Sequence, residues 1–124
     1  MKKDLAFVNL KFRKRDATNY IYIVKKDLHG VGLDTLRTKS MKRGGLDTGF
    51  HFIIRSNGKI EADRVEYAFA GWWFDHEDKA VAILIDTARD SEISSAAKKA
   101  IKEISSKYPQ ARIMEINNAG DLED

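Results

Sequence analysis

Continuous runs of hydrophobic residues predict the buried strands of this chain. Residues 20–24 and 80–85 are rich in β-branched and aromatic side chains, a pattern typical of strands covered on both faces. Residues 50–54 form a third such run. The pair Asn57-Gly58 follows it, supplies the positive φ angles of a tight turn, and predicts that residues 60–62 return as the hairpin partner.

The rest of the pattern predicts two helices and a further strand. Residues 33–43 form the first helix, and Ser91 to Lys107 the second, with Ser91 as its N-terminal cap. Apolar and polar residues alternate at 111–116, as in a strand, and residues 8–12 form a weaker candidate for an edge strand. The interleaving of strands and helices predicts a single α/β domain with a central mixed sheet flanked by helices.

Charge is unevenly distributed over the 124 residues, although the net charge is only +3. Residues 1–45 contain twelve Lys and Arg against four Asp and Glu, whereas residues 46–124 contain ten against fifteen. The single domain of residues 1–124 therefore begins with a basic segment, 1–18, and ends in a short acidic tail, 117–124. The chain has no cysteine, and its apolar runs are too short for a signal peptide or a membrane span, so we expect a cytoplasmic protein that does not enter a membrane.

Two short segments are candidates for binding a partner. One is basic with a single aromatic residue; it suits phosphates or an acidic protein surface, but also a charged, solvated edge strand. The other is aromatic, and its rings either fill the interior or stay exposed as anchors for a protein partner. The candidate partner-binding residues are Lys11, Phe12, Arg13, Lys14 and Arg15 in the first segment, and Phe69, Trp72, Trp73 and Phe74 in the second.

The middle of the chain resembles a known enzyme family. The residues that carry the likeness are Gly44, Leu46-Asp47, Gly49-Phe50-His51-Phe52-Ile53-Ile54, Asn57-Gly58, Ile60-Glu61-Ala62 and Arg64. They resemble the zinc-dependent N-acetylmuramoyl-L-alanine amidases of the phage lysozyme type, whose superfamily includes the peptidoglycan recognition proteins. Strands, hairpin and helices follow in the family's order over most of the chain, so the resemblance implies the amidase fold.

The resemblance also implies a zinc site, and this sequence departs from it. Family members hold zinc with two histidines and a third histidine or cysteine, and a tyrosine assists. Val24 and Trp72 stand where the first two ligands belong, the third falls beyond the last strand, and Phe50 replaces the tyrosine. His51 is not a ligand in the family pattern and is expected to be a packed or hydrogen-bonded core residue. We therefore predict a vestigial cleft at Val24, Phe50, His51 and Trp72, with no zinc, no cofactor and no catalytic residue.

These observations lead to three functional hypotheses for a protein that is expected not to be an enzyme. The first is an inactive, amidase-like phage protein that binds and regulates or inhibits another protein. Because part of the phage lysozyme family restrains the phage RNA polymerase, that polymerase, another nucleic-acid enzyme or a host defence protein is the first candidate. The second hypothesis is a peptidoglycan-fragment binding protein. The third is nucleic-acid binding through residues 11–15, which predicts affinity that falls with salt.

Overall fold

A computed structural model of the chain describes residues 14–42, 47–70, 77–88 and 90–116. The strands and helices are interleaved along the chain, as expected for an α/β domain. In chain order they are β1 (Tyr20–Lys26), α1 (Leu33–Lys42), β2 (Phe52–Ile54), β3 (Ile60–Ala62), β4 (Ala80–Asp86), α2 (Ser95–Ser105) and β5 (Arg112–Glu115), with a short 3₁₀ turn at Glu77–Lys79 before β4. The predicted strand at residues 8–12 lies outside the described residues.

The five strands form one mixed sheet in the order β3-β2-β4-β1-β5. The four strands β2, β4, β1 and β5 are parallel, and only the edge strand β3 runs antiparallel to its neighbour β2. Val24 of β1 pairs with Leu84 of β4, which brings the carboxyl ends of the two central strands side by side. The predicted mixed sheet is confirmed.

One face of the sheet packs against α2. Alternate residues of β1 and β4 point to this face, because successive side chains of a strand lie on opposite sides. They meet the apolar side of α2, on which Ala97, Ala100, Ile101 and Ile104 are buried. Ser94 caps this helix by accepting a hydrogen bond from the N–H of Ala97 at 3.1 Å. The prediction that Ser91 caps this helix is therefore wrong, and the helix begins four residues later than expected.

The opposite face is covered less completely by α1. This helix has no fully buried residue, and only Leu33 and Leu36 pack against the sheet, where they are partly buried. Beneath them lie Tyr22 and Val24 of β1 and Leu84 of β4. Incomplete cover by α1 leaves space between the helix and the sheet.

The β2–β3 hairpin turn depends on one glycine. The N–H of Gly58 donates to the carbonyl of Arg55 at 2.8 Å, and Gly58 has a φ of 89°. Asn57 has no positive φ; its side chain instead accepts the N–H of Lys59 at 2.9 Å. The N–H of Arg55 donates to the carbonyl of Lys59 at 2.9 Å, so the loop closed by this pair has three residues, 56–58. The prediction that both residues of the Asn-Gly pair have positive φ is wrong, because such a loop needs only its last residue in the left-handed region.

Within the described ranges, neither helix has the length and apolar character needed to cross a membrane.

Candidate functional site

A pocket of about 120 Å³ lies between α1 and the sheet, at the carboxyl ends of β1 and β4. Open α/β sheets bind ligands at the carboxyl ends of their parallel strands, so this is the position where a site is expected. We call it the α1 pocket. Its lining residues are Lys26, Asp27, Leu28, His29, Val31, Leu36, Lys39, Ser40, Thr48, Phe50 and Leu84.

The α1 pocket combines an apolar floor with a polar mouth. Phe50 and Leu84 belong to the buried cluster on this face of the sheet and form the floor. His29 and Lys39 are exposed and lie at the mouth. An apolar cavity with a few polar groups at its rim is the usual composition of a site for a small ligand.

Two predicted cleft residues, Val24 and Phe50, lie in this apolar cluster, 3% and 1% exposed respectively. Neither side chain offers a lone pair to a metal, so the residues present do not fit the zinc ligand and the catalytic tyrosine that the resemblance places there. Among the described residues, no three His, Cys, Asp or Glu side chains are grouped to hold a metal ion. The positions of the second and third zinc ligands in the family pattern, Trp72 and the chain beyond Ile116, lie outside the described residues.

His51 is fully buried and uses both ring nitrogens in hydrogen bonds to the backbone. Nδ1 accepts the N–H of Ala82 at 3.0 Å, so the ring is neutral and Nε2 carries the proton, which it donates to the carbonyl of Ala68 at 2.8 Å. The pKa of His51 is lowered from 6.5 to about 4, mainly by burial and also by the charges of Arg15 and Arg64, while the Ala68 carbonyl and Glu66 oppose the shift. Through these two hydrogen bonds the imidazole links β4 to the segment around Ala68, which is a structural role.

Arg15 is buried and does not join Lys14 in a basic surface patch. Its Nη1 donates to the carbonyls of Glu66 and Ala68 at 2.6 and 2.7 Å, and its Nε donates to the hydroxyl of Thr18 at 2.8 Å. Burial lowers the pKa of Arg15 despite the nearby Tyr108 and Glu66. The guanidinium of Arg15 forms hydrogen bonds inside the fold. Of the five candidate partner-binding residues in the basic segment, Arg15 is therefore not on the surface.

The charged residues of the family-like stretch hold loops together. Nε of Arg64 donates to both carboxylate oxygens of Asp47, at 3.0 and 3.2 Å, and its Nη1 donates to the carbonyls of Phe69 and Ala70. Together with Arg15 and His51, Arg64 therefore binds the carbonyl oxygens of residues 66–70. This carbonyl clamp fixes the backbone that leads into the aromatic segment.

Asp63 connects α1 to the loop before β2. Its side chain is 1% exposed and accepts hydrogen bonds from Nε of Arg37 and from the backbone N–H of Thr48, at 2.5 and 2.8 Å. The hydroxyl of Thr48 donates to the same carboxylate. A buried carboxylate needs such partners, because an unpaired charge in the interior is strongly unfavourable.

The structure brings Lys14 of the basic segment close to Phe69 of the aromatic segment. Lys14 is exposed and forms an antiparallel bridge with Ala68, next to Phe69, which is half-buried. Beside them, Val65 and Tyr67 are 42% and 51% exposed, and neither was singled out from the sequence because an isolated hydrophobic residue on the surface gives no periodic signal. The other candidates, Lys11, Phe12, Arg13, Trp72, Trp73 and Phe74, lie outside the described residues.

Known proteins similar in sequence are phage endolysins. The endolysin of Escherichia phage T7 is 36% identical over 62 residues, which are 48% of this chain and 41% of that protein. The endolysin of Enterobacteria phage K11 is 29% identical over 118 residues, 85% of this chain and 78% of that protein. The T7 match thus spans less than half the length of that relative. No protein-family model matches the chain.

Similar solved structures include an amidase and a peptidoglycan recognition protein. The endolysin N-acetylmuramoyl-L-alanine amidase LysCS of Clostridium intestinale superposes with a TM-score of 0.67 at 15% identity, over 80% of this chain and 69% of that one. Drosophila peptidoglycan recognition protein SD superposes with a TM-score of 0.70 at 17% identity, over 84% and 72%. The chain has the amidase and peptidoglycan recognition protein fold.

This result confirms the resemblance inferred from the sequence and corrects one prediction. The chain is thus similar in sequence to phage endolysins, and it shares its fold with an amidase and a peptidoglycan recognition protein. The prediction that it is not an enzyme is wrong on this comparison, because its relatives in sequence are named endolysins. That prediction relied on single positions carried over from the resemblance, of which only Val24 and Phe50 lie in the described part of the chain.

Proposed function

We propose that this protein binds peptidoglycan fragments in the α1 pocket. The observation that carries the proposal is the pocket itself, which has an apolar floor and a cationic mouth at the carboxyl ends of β1 and β4. It lies in a fold shared with an N-acetylmuramoyl-L-alanine amidase and a peptidoglycan recognition protein.

The chemistry of the ligand matches that of the pocket. Peptidoglycan stem peptides alternate small apolar side chains, such as that of alanine, with free or amidated carboxylates. A pocket of about 120 Å³ floored by Phe50 and Leu84 accepts a group of a few heavy atoms. Lys39 at its mouth suits a carboxylate on the same peptide.

Titration calorimetry with a soluble muramyl peptide tests the proposal. We expect saturable heat at ligand concentrations on the order of 1 mM or below. The substitution Val31→Trp places an indole at a residue that lines the pocket and should abolish the heat. The matched control is Val65→Trp, at an exposed valine that does not line the pocket. Absence of heat with the unchanged protein, or equal binding by the two variants, would contradict the proposal.

A second candidate function is the binding and regulation of another protein in the cytoplasm of an infected cell. It is supported by the Lys14–Ala68 bridge, which brings Lys14 close to Phe69, with Val65 and Tyr67 exposed beside them. Tyrosine gives a large contact area at low cost in conformational entropy, and the carbonyl clamp holds the backbone on both sides of Tyr67.

A transcription assay with a purified single-subunit phage RNA polymerase tests this second function. We expect run-off transcript to fall as the protein reaches stoichiometric amounts, and Tyr67→Ser to weaken the effect. The control is Thr35→Ser, on the exposed side of α1. Unchanged transcription in molar excess of protein removes the polymerase as partner. A gel shift with duplex DNA over a range of salt concentrations separates the nucleic-acid alternative, which requires steep salt dependence.

A further inference from the structure

Charged residues line the α1 pocket. Lys26 and Lys39 are both among them, Lys26 has an interaction partner of its own, and Asp27 is the only carboxylate among the lining residues that the structure describes. The carboxylate of Asp27 is engaged by His29, whose backbone N–H donates to it at 2.9 Å and whose Nδ1 lies 3.4 Å from it. The carboxylate of Asp27 is therefore already engaged by a neighbour in the chain and is not paired with Lys39.

Lys39 is the cation at this mouth that is available to a ligand. Within the described residues, its ammonium has no hydrogen bond or ion pair, whereas Arg37, on the same helix, is bound to Asp63. Favourable interaction with the helix dipole explains why basic residues occur in the last turn of α1, and it applies equally to Lys42. Only Lys39 of these two lines the pocket, so the dipole does not account for its position.

We propose that Lys39 selects ligands that carry a carboxylate, and that its ammonium forms an ion pair with this group while the apolar part of the ligand enters the pocket. This inference rests on the proposed binding of peptidoglycan fragments and names the chemical form that is preferred: the free acid of the stem peptide over its amide. An ion pair exposed to water contributes modestly, so we expect the acid to bind about fivefold more tightly than the amide.

Calorimetry with two probes tests the selectivity. The probes are N-acetylmuramyl-L-alanyl-D-glutamic acid and its diamide, which differ only in the carboxylates. Each is titrated into the unchanged protein, into Lys39→Met and into the matched control Lys42→Met, which lies on the same helix outside the pocket. Methionine keeps most of the aliphatic length of lysine and removes the charge. Melting temperatures of the three proteins check that α1 remains folded.

The expected result is a preference for the acid in the unchanged protein and in Lys42→Met, and equal affinities in Lys39→Met. The preference should also shrink as salt is raised from about 0.05 to 0.5 M, because salt screens exposed charges. Equal binding of both probes to the unchanged protein, or a preference that survives in Lys39→Met, overturns the inference but leaves the proposed function intact. If neither probe binds, the proposed function fails and the inference fails with it.

Discussion

Protonation of His51 should destabilise the folded protein as the pH falls, before the carboxylates of the protein are protonated. In the folded state the ring is fully buried and neutral, with Nδ1 accepting from Ala82 and Nε2 donating to Ala68. A second proton on Nδ1 would break the first of these bonds and place a charge in the interior beside Arg15 and Arg64. In the unfolded chain the same ring accepts that proton freely.

The size of the effect follows from the difference in pKa between the two states. The folded pKa of His51 is about 4 and the ordinary value is 6.5, so the unfolded state binds more protons in the window between them. The stability that His51 contributes is therefore fully present above about pH 6.5 and is lost as the pH falls through 4. Linkage gives a loss of about 2 kcal/mol between pH 7 and pH 5, and about 3 kcal/mol over the whole window.

Urea unfolding followed by circular dichroism at pH 7 and pH 5 measures this loss. The variant His51→Gln has no titrating ring, and we expect it to be less stable at pH 7 but to lose about 2 kcal/mol less than the unchanged protein on going to pH 5. The matched control is His29→Gln, at an exposed histidine, which should keep the full pH dependence. If His51→Gln shows the same pH dependence as the unchanged protein, the assignment to His51 is refuted.

Three further substitutions test the contacts that hold the fold. Gly58→Ala should cost about 1–3 kcal/mol in urea unfolding, because its φ is 89° and a Cβ would lie 2.9 Å from the carbonyl oxygen of Ala96. Ser94→Ala should cost about 1 kcal/mol, whereas Ser91→Ala should cost almost nothing, and the reverse order would show that Ser91 is the cap after all. Asp63→Ala should cost about 3–5 kcal/mol in the same assay, since it removes a buried partner of several donors; a change below about 1 kcal/mol would argue against that role.

Element positions were predicted well where a turn signal or an apolar run sets them. The hairpin strand at 60–62 has the predicted bounds, and the strand at 20–24 was found but extends to Lys26. The extension was missed because its last residues are polar and are held by pairing with β4, where Lys26 lies opposite Asp86. A hydrophobic pattern gives no information about such backbone pairing.

The start of β2 was predicted two residues too early for a related reason. Phe50 and His51 continue the apolar run, yet the strand begins at Phe52. The N–H of Ala82 donates to the ring of His51 rather than to a backbone carbonyl, which interrupts the regular pairing at that point. A side chain that replaces a backbone acceptor is visible only in the tertiary structure.

The N-terminal cap of α2 shows how tertiary contacts choose among equivalent residues. Ser91 and Ser94 both precede the helix and are chemically identical as caps. Only Ser94 also donates its hydroxyl hydrogen to the carbonyl of Ser56 at 2.7 Å, in the β2–β3 turn. This contact joins residues that are 38 positions apart, so local sequence could not reveal it.

The sequence by itself determined the α/β class, the order of strands and helices, the hairpin and the resemblance to the amidase superfamily, because alternation and turn residues act over a few neighbouring positions. Tertiary structure alone decided which charged groups form hydrogen bonds inside the fold and which line the α1 pocket. Arg15 reaches the carbonyl of Ala68 across 53 positions, while Lys39 stays at the mouth of the α1 pocket. Lysine and arginine look alike in a charge pattern, and only the folded chain shows which buried acceptors lie within their reach.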